Sequence, residues 1–239
     1  FDSDPTLDSS YEGQVWYNSA TGTLRSVVSF GAWRSSANTP AVFVAAGATG
    51  PQTANLVFSG YGPPPSTPAG ILTTVEFNGN GWATGGNMGD GRAYIGSAGT
   101  QTAGLAIGGL DNTAPTGYRS AKTEEYNGTS WSEQNDLSNP RGQGVGTGLQ
   151  TAGMFTTGDA SPPDYSTYVE NYDGTSWTNG TANSLGRRVS TGNGTQTSTI
   201  IIAGHINPSD TLTSLTEEWD GSSWSSGGSV NTARKGGMA

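Results

Sequence analysis

The residues in this chain best suited by type to do chemistry are paired carboxylates. Residues 123–131 read TEEYNGTSW and residues 216–224 read TEEWDGSSW, with looser versions at 169–177 (VENYDGTSW) and 75–82 (VEFNGNGW). Glycoside hydrolysis needs two carboxyl groups converging on one cleft at a set separation, one as acid and one as nucleophile or base. Glu124 and Glu125 are adjacent, as are Glu217 and Glu218. Adjacent residues on a strand point to opposite faces, so neither pair can close on one substrate. Copies in successive repeats stand too far apart to cooperate. The expectation is structural carboxylates and no enzymatic activity.

Other candidates recur with the same phrase. An arginine lies ten residues after each of four tryptophans, at Arg92, Arg141, Arg187 and Arg234. A ring of arginines could hold an anion, or could bond loop carbonyls and the carboxylates of a neighbouring repeat. Gln52, Gln101, Gln150 and Gln196, each followed by Thr, could tie repeats together through side-chain hydrogen bonds or line one face. With no cysteine and one histidine, thiolate metal sites, disulfides and most His-based zinc or triad chemistry are excluded. His205 is expected in a second-to-third loop of variable sequence, with no other histidine or cysteine in the chain to share a metal with it. Glycine runs such as GRAYIGSAG lack the Gly-Lys-Ser/Thr and the following helix of a phosphate loop. No cofactor and no metal is expected. Asn-Gly-Thr at 127–129, 179–181 and 193–195 matches a glycosylation acceptor, but Asn-Gly is also turn chemistry.

The elements that position these residues follow from a repeat. Trp33, Trp82, Trp131, Trp177 and Trp224 are spaced by 49, 49, 46 and 47 residues. Seventeen residues after each of the first four stands a glycine (Gly50, Gly99, Gly148, Gly194), and two later the Gln-Thr pair. Three registers at one period define repeat units at 34–82, 83–131, 132–177 and 178–224. Each contains a Gly/Ala-rich stretch after the arginine, an apolar stretch after Gln-Thr, the TEEY stretch, and a last stretch at the tryptophan. Asn127-Gly128, Asp173-Gly174 and Asp220-Gly221 sit between the last two, where a tight hairpin turn with both residues at positive φ is expected. Four antiparallel strands in 46–49 residues is the size of a propeller blade.

A glycine doublet closing the second strand, an aromatic on the third, a tryptophan five residues on and an arginine ten beyond resemble the kelch repeat. Gly108-Gly109, Tyr126, Trp131 and Arg141 carry the resemblance best, whereas Ser59-Gly60, Thr157-Gly158 and Ala203-Gly204 keep only the second glycine. The Gly-x-Gln-Thr-Ala and Glu-Glu-Tyr/Trp phrases are similar to repeats in tail-fibre-like structural proteins of tailed phages, cyanophages especially. EGQVWYNSATGTLR (12–25) resembles a short β-segment of phage structural proteins.

The fold expected is all-β: a five-bladed kelch-like β-propeller with four antiparallel strands per blade. Residues 1–12 are an N-terminal tether and 13–239 a single propeller. Its fifth blade would combine 13–33, including Trp33, with the last strand at 231–239, closing the ring and removing exposed edges. The alternative is an incomplete array whose edges pair with another subunit. The chain opens on Phe1 without a signal-like stretch, so a processed product or a piece of a longer polypeptide is expected.

What does not repeat points to function. The second-to-third loops, GYGPPPSTPAGI, GLDNTAPTGYRSA, GDASPPDYST and GHINPSDTLT, share one face with the fourth-to-first connections. They carry Tyr61, Asp111, Tyr118, Arg119, Asp159, Tyr165, His205 and Asp210. Flat aromatic faces beside polar groups suit a sugar, and loops on a rigid scaffold are where recognition resides. Net charge −9, with only ten basic residues, dispersed, argues against nucleic acid and anionic membranes. No apolar run is long enough to span a bilayer as a helix. The resemblance implies a virion location, other virion subunits as partners, a possible homo-oligomer, and attachment to a host-surface glycan or receptor. Capsid decoration without receptor binding, or a free lectin-like propeller, remain alternatives.

Overall fold

The computed structural model describes residues 15–26, 36–62, 70–111, 119–160, 162–206 and 211–236. Trp33, Tyr118 and Asp210, the 1–12 segment and the end of the last strand lie outside them. The chain divides into two compact units, 1–36 and 37–239. Within the first, β1 (Val15–Asn18) and β2 (Thr23–Ser26) form an antiparallel hairpin.

In the second unit each repeat becomes one antiparallel sheet, because Gly and Asn/Asp turns break the chain into strands too short for anything else. Blade one is β3 (Gly47–Thr49), β4 (Asn55–Phe58), β5 (Thr74–Phe77) and β6 (Trp82–Thr84). Blade two is β7 (Gly96–Thr100), β8 (Ala103–Ile107), β9 (Thr123–Tyr126) and β10 (Trp131–Glu133). Blade three is β11 (Val145–Leu149), β12 (Ala152–Thr156), β13 (Val169–Tyr172) and β14 (Trp177–Asn179). Blade four has β15 (Arg187–Arg188) and β16 (Thr191–Thr195) both paired with β17 (Ser198–Ile206), then β18 (Thr211–Trp219) and β19 (Trp224–Ser226). The unit is thus an all-β, propeller-like array of four sheets, with no helix among the described residues.

The Gly/Ala/Ser/Thr-rich strands β3, β7, β11 and β16 are the inner ones and surround a cavity of about 560 Å³. Small residues there let backbones approach: a Cβ at Gly146 would lie 2.6 Å from Ser97 N. Hydroxyls stitch these strands, Thr49 Oγ1 donating to Gly99 O (2.7 Å) and Ser97 Oγ to Ala48 O (2.8 Å). Apolar residues of β4, β8 and β12 pack against the next blade. Leu56 and Phe58 meet Ile95, Ala106 and Tyr126, while Leu105 and Ile107 meet Phe155, Tyr172 and Trp177.

The outer hairpin differs from the expected two-residue turn. Tyr126 pairs with Trp131, leaving a four-residue loop closed by Asn127 N–H donating to Ser130 O (3.2 Å). Of the Asn-Gly pair, glycine alone takes positive φ (Gly128, 88°). Asn127 Oδ1 instead accepts from the N–H groups of Thr129 and Ser130, at 3.0 and 2.9 Å. Asp173 and Asp220 do the same at 2.8 Å. A side-chain oxygen capping two orphan donors explains why Asn and Asp exchange freely here. These bonds favour the ionised carboxylates, and Asp220 is held down to about 2 by the Ser222 hydroxyl and the two backbone donors.

Candidate functional site

Most of the repeated polar residues of blades two to four have structural partners, which separates the scaffold from what is left for function. Arg92, Arg141 and Arg187 are fully buried, and each meets the first glutamate of its own repeat: Arg92–Glu124 at 2.8 Å, Arg141–Glu170 and Arg187–Glu217. The second carboxylate oxygen accepts a backbone N–H from the fourth-to-first connection: Gly89, Ser138 or Ser184, each at 2.7 Å. The guanidiniums also donate to carbonyls, Arg92 to Gly108 O (2.8 Å) and Lys122 O (2.6 Å), Arg141 to Phe155 O (2.9 Å). Burial lowers the pKa of all three arginines, opposed by the carboxylates. The second glutamate faces the other way and serves the next blade: Tyr126 Oη donates to Glu76 (2.5 Å) and Tyr172 Oη to Glu125 (3.0 Å). Burial and that hydrogen bond push Tyr126 up to about 12, and Tyr172 rises for the same reasons. Where Trp219 replaces tyrosine, the facing position of the preceding blade is Asn171 instead of glutamate.

Glutamines and tryptophans bind blade to blade. Gln101 Nε2 donates to Asn55 O and Phe77 O of the preceding blade (3.0 and 2.7 Å). Gln150 donates to Gly104 O and Tyr126 O (3.1 and 2.9 Å), and Gln196 to Gly153 O and Tyr172 O (2.9 and 2.8 Å). Gln52, on blade one, is exposed. Trp131 Nε1 donates to Thr74 and Trp177 Nε1 to Thr123, both at 2.9 Å, across the same interfaces. Trp82 and Trp224 reach backbone carbonyls of Ala37 (3.0 Å) and Thr181 (2.9 Å). Arg234 differs from the other arginines in being exposed.

On the face carrying the second-to-third loops, four equivalent backbone pairings recur, one per blade: Val44 with Tyr61, Ala93 with Leu110, Gly142 with Asp159, and Arg188 with His205. The backbone repeats while the side chains do not. Blades one and two contribute apolar groups, and Tyr61 stands edge-on to Tyr94 with ring centroids 6.2 Å apart. Val44 and Tyr94 are exposed. Blades three and four, together with Arg119 from the loop of blade two, contribute charge. Buried Asp159 accepts from Arg119 Nε (3.1 Å) and from Arg119 Nη2 at both oxygens (2.6 Å each). Arg188 Nη1 lies 3.6 Å from the same Asp159 Oδ2, and its guanidinium carbon sits 4.9 Å from the Tyr165 ring centroid.

Of the residues expected to bind, Arg119, Asp159 and Tyr165 thus come together. Tyr61 lies at the apolar part, and half-buried Asp111 follows Leu110 with its charge acting on Arg92. His205 needs correction. It is a buried residue of strand β17, directly opposite Arg188, and not a loop residue. Sequence reasoning missed Arg188, Tyr94 and Val44. The signal that would have found them is departure from the repeat: positions 44, 93, 142 and 188 hold Val, Ala, Gly and Arg, and positions 45, 94, 143 and 189 hold Ala, Tyr, Gln and Val, beside strongly repeating neighbours.

No protein-family model matches this chain, and no curated protein sequence matches it. The fold resembles that of YjhT. The solved structure titled "Structure of YjhT" superimposes with a TM-score of 0.67 at 12% identity, covering 81% of this chain and 73% of that one. At that identity the likeness concerns fold alone.

Proposed function

We propose that the protein is a non-enzymatic surface module of a tailed-phage virion that attaches to a host-surface glycan through its loop face. The observation that carries the binding reading is the ring of four equivalent positions whose backbone repeats and whose side chains do not. Repeated arginines, glutamines and first glutamates have structural partners in blades two to four, whereas where the repeat breaks Tyr61 meets Tyr94 and, separately, Arg119, Asp159, Tyr165 and Arg188 cluster. Flat aromatic rings and charged groups carried on one face are the chemistry of sugar recognition. The phage assignment rests on the resemblance of the repeat phrases, as do other virion subunits as partners and a homo-oligomeric state.

The propeller is, in this reading, five-bladed, its last blade assembled from 13–33 and 231–239. Two chains of interblade bonds support it. Gly60, Gly109, Gly158 and Gly204 N–H donate to Arg92, Arg141, Arg187 and Arg234 O. Tyr94, Gln143, Val189 and Gly236 N–H donate to Ala45, Tyr94, Gln143 and Val189 O. Residues 234–236 make the same backbone bonds to blade four that the starts of blades two to four make to the blade before them, which supports this reading. On the flank of blade four, a groove of about 410 Å³ exposes the region of Thr199 and Trp219, whose equivalents elsewhere are clamped by a glutamine. In the five-bladed reading, the glutamine that sequence spacing assigns to this role is Gln14. Gln14→Ala and Gln52→Ala should each cost as much stability as Gln150→Ala, and two silent variants would contradict closure. A glycan array tests attachment: selective binding, lost on changing the loop face, is expected, and no binding to any glycan would leave a decoration role.

A further inference from the structure

We propose that Asn193 is a self-modification site, where the backbone nitrogen of Gly194 attacks the asparagine side-chain amide and expels ammonia. This goes beyond the glycan reading and does not depend on it.

Asn-Gly is the pair most open to this chemistry, because glycine places no side chain over the attacking nitrogen. The chain holds five such pairs, beginning at Asn78, Asn80, Asn127, Asn179 and Asn193. At four of them the fold commits the groups the reaction needs. Asn78 and Asn127 turn Oδ1 onto the N–H groups two and three residues on, at 3.0 and 2.9 Å in each case. After Asn80, the Gly81 N–H is one of those donors, bonded to Asn78. After Asn179, the Gly180 N–H donates to Val169 O (2.8 Å). At Asn193 the side chain instead turns Oδ1 onto the N–H of its own following residue, Gly194, at 2.7 Å. Cγ is one bond from that oxygen, so nucleophile and target are already adjacent, the condition that favours reaction within a chain. Both residues are exposed, so solvent supplies the base and the water.

The step balances without oxidant or cofactor. Hydroxide takes the Gly194 amide proton, and the nitrogen's electron pair forms a bond to Asn193 Cγ. The Cγ–Nδ2 bond breaks, and the amide nitrogen leaves as ammonia with a proton from water. Water then opens the succinimide at either carbonyl. Opening at Cγ leaves aspartate. Opening at the main-chain carbonyl leaves isoaspartate, whose backbone runs through Cβ and Cγ.

Position gives the reaction a consequence. Thr49, Ala98 and Thr147 stand at the equivalent place in blades one to three, so the amide is particular to blade four. Thr49 and Thr147 bond the following blade there, at Gly99 O and Thr199 Oγ1 (2.7 and 2.9 Å). Asn193 lines both the central cavity and the groove on the flank of blade four, which Glu218 also lines. Aspartate would add a second carboxylate to that groove, and like charges repel. Isoaspartate would lengthen β16 against β17, where Asn193 faces Ile200 and Gly194 faces Thr199. In the five-bladed reading this flank is the closing seam, so the modification loosens the ring as the protein ages.

Ageing the intact chain at mildly alkaline pH, with peptide mapping by mass spectrometry and isoaspartate detection, tests the inference. Asn193 should deamidate at least about tenfold faster than the other four sites, give both products, and react faster as pH rises. In the urea-unfolded chain the five rates should converge, because the selectivity comes from the fold. Equal rates in the folded chain, a faster site among the other four, or the same lead in the unfolded chain would overturn the inference. Two variants read the consequence separately. Asn193→Thr carries the residue of blades one and three and should keep the wild-type urea midpoint, whereas Asn193→Asp should lower it. Equal midpoints would overturn the loosening of the seam and leave the modification standing.

Discussion

The Arg141–Glu170 pair offers a quantitative test, because blade one has already made the double replacement. Arg141 and Glu170 are both fully buried, and their equivalents in blade one are Phe43 and Val75. Taking two charges out of water costs several kcal/mol per ion, recovered only through close pairing. Glu170→Val would leave the Arg141 guanidinium buried with carbonyl acceptors alone, and should cost about 3–5 kcal/mol. It also deprives Ser138 N–H of its acceptor, worth about 1 kcal/mol. Arg141→Phe/Glu170→Val removes both charges and recreates the blade-one pair. The double variant should recover most of the loss and lie within about 2 kcal/mol of wild type, as replacements of whole buried pairs do. Equilibrium urea unfolding followed by tryptophan fluorescence gives both values, and the cycle should yield a coupling energy of at least about 2 kcal/mol. If the single variant loses less than about 1 kcal/mol, or the double loses the sum of both singles, the assignment of the repeated arginines to buried pairing is wrong.

Other outcomes follow from the same geometry. Gln150→Ala strands the carbonyls of Gly104 and Tyr126 and should lower stability by about 1–3 kcal/mol in the same urea assay. Val189 is β-branched at φ 51° and only partly buried, so Val189→Gly should raise stability by about 1 kcal/mol, seen as a higher melting temperature. Tyr126 keeps its proton to about 12 in the folded state, so its contribution is complete below the ordinary tyrosine pKa of 10.0 and is lost as pH rises through 12. The urea midpoint should therefore fall between pH 10 and 12, less steeply in Tyr126→Phe; identical slopes would refute the Tyr126–Glu76 link.

Much of the scaffold was legible because its interactions repeat. Trp131, Arg141, Gln150 and their copies mark one register, and bonds such as Gln150 to Gly104 O and Tyr126 O recur at equivalent distances in each interface. Adjacent glutamates were readable as opposed, and Glu124 and Glu125 do serve different blades. The turn was misread because Asn-Gly invites a two-residue hairpin, whereas the Asn127 side chain closes a wider loop. His205 was misplaced because β17 and β18 continue for nine residues each. The second-to-third loops of blades one and three contain proline clusters, which cannot donate to a ladder, and the stretch around His205-Ile206 has none until Pro208. Arg188 was hidden beside the repeating Arg187, and only the backbone pairing with His205 reveals that the two arginines face different surroundings.

The central claim is that the face where the repeat breaks is the face that binds. Hydrogen–deuterium exchange of the intact chain with and without a glycan selected from the array reads this directly. Protection should concentrate in segments containing Tyr61, Tyr94, Arg119, Asp159, Tyr165 and Arg188. Protection confined to the opposite ends of the inner strands, around Gly50–Gln52, Gly99–Gln101 and Gly148–Gln150, would contradict it.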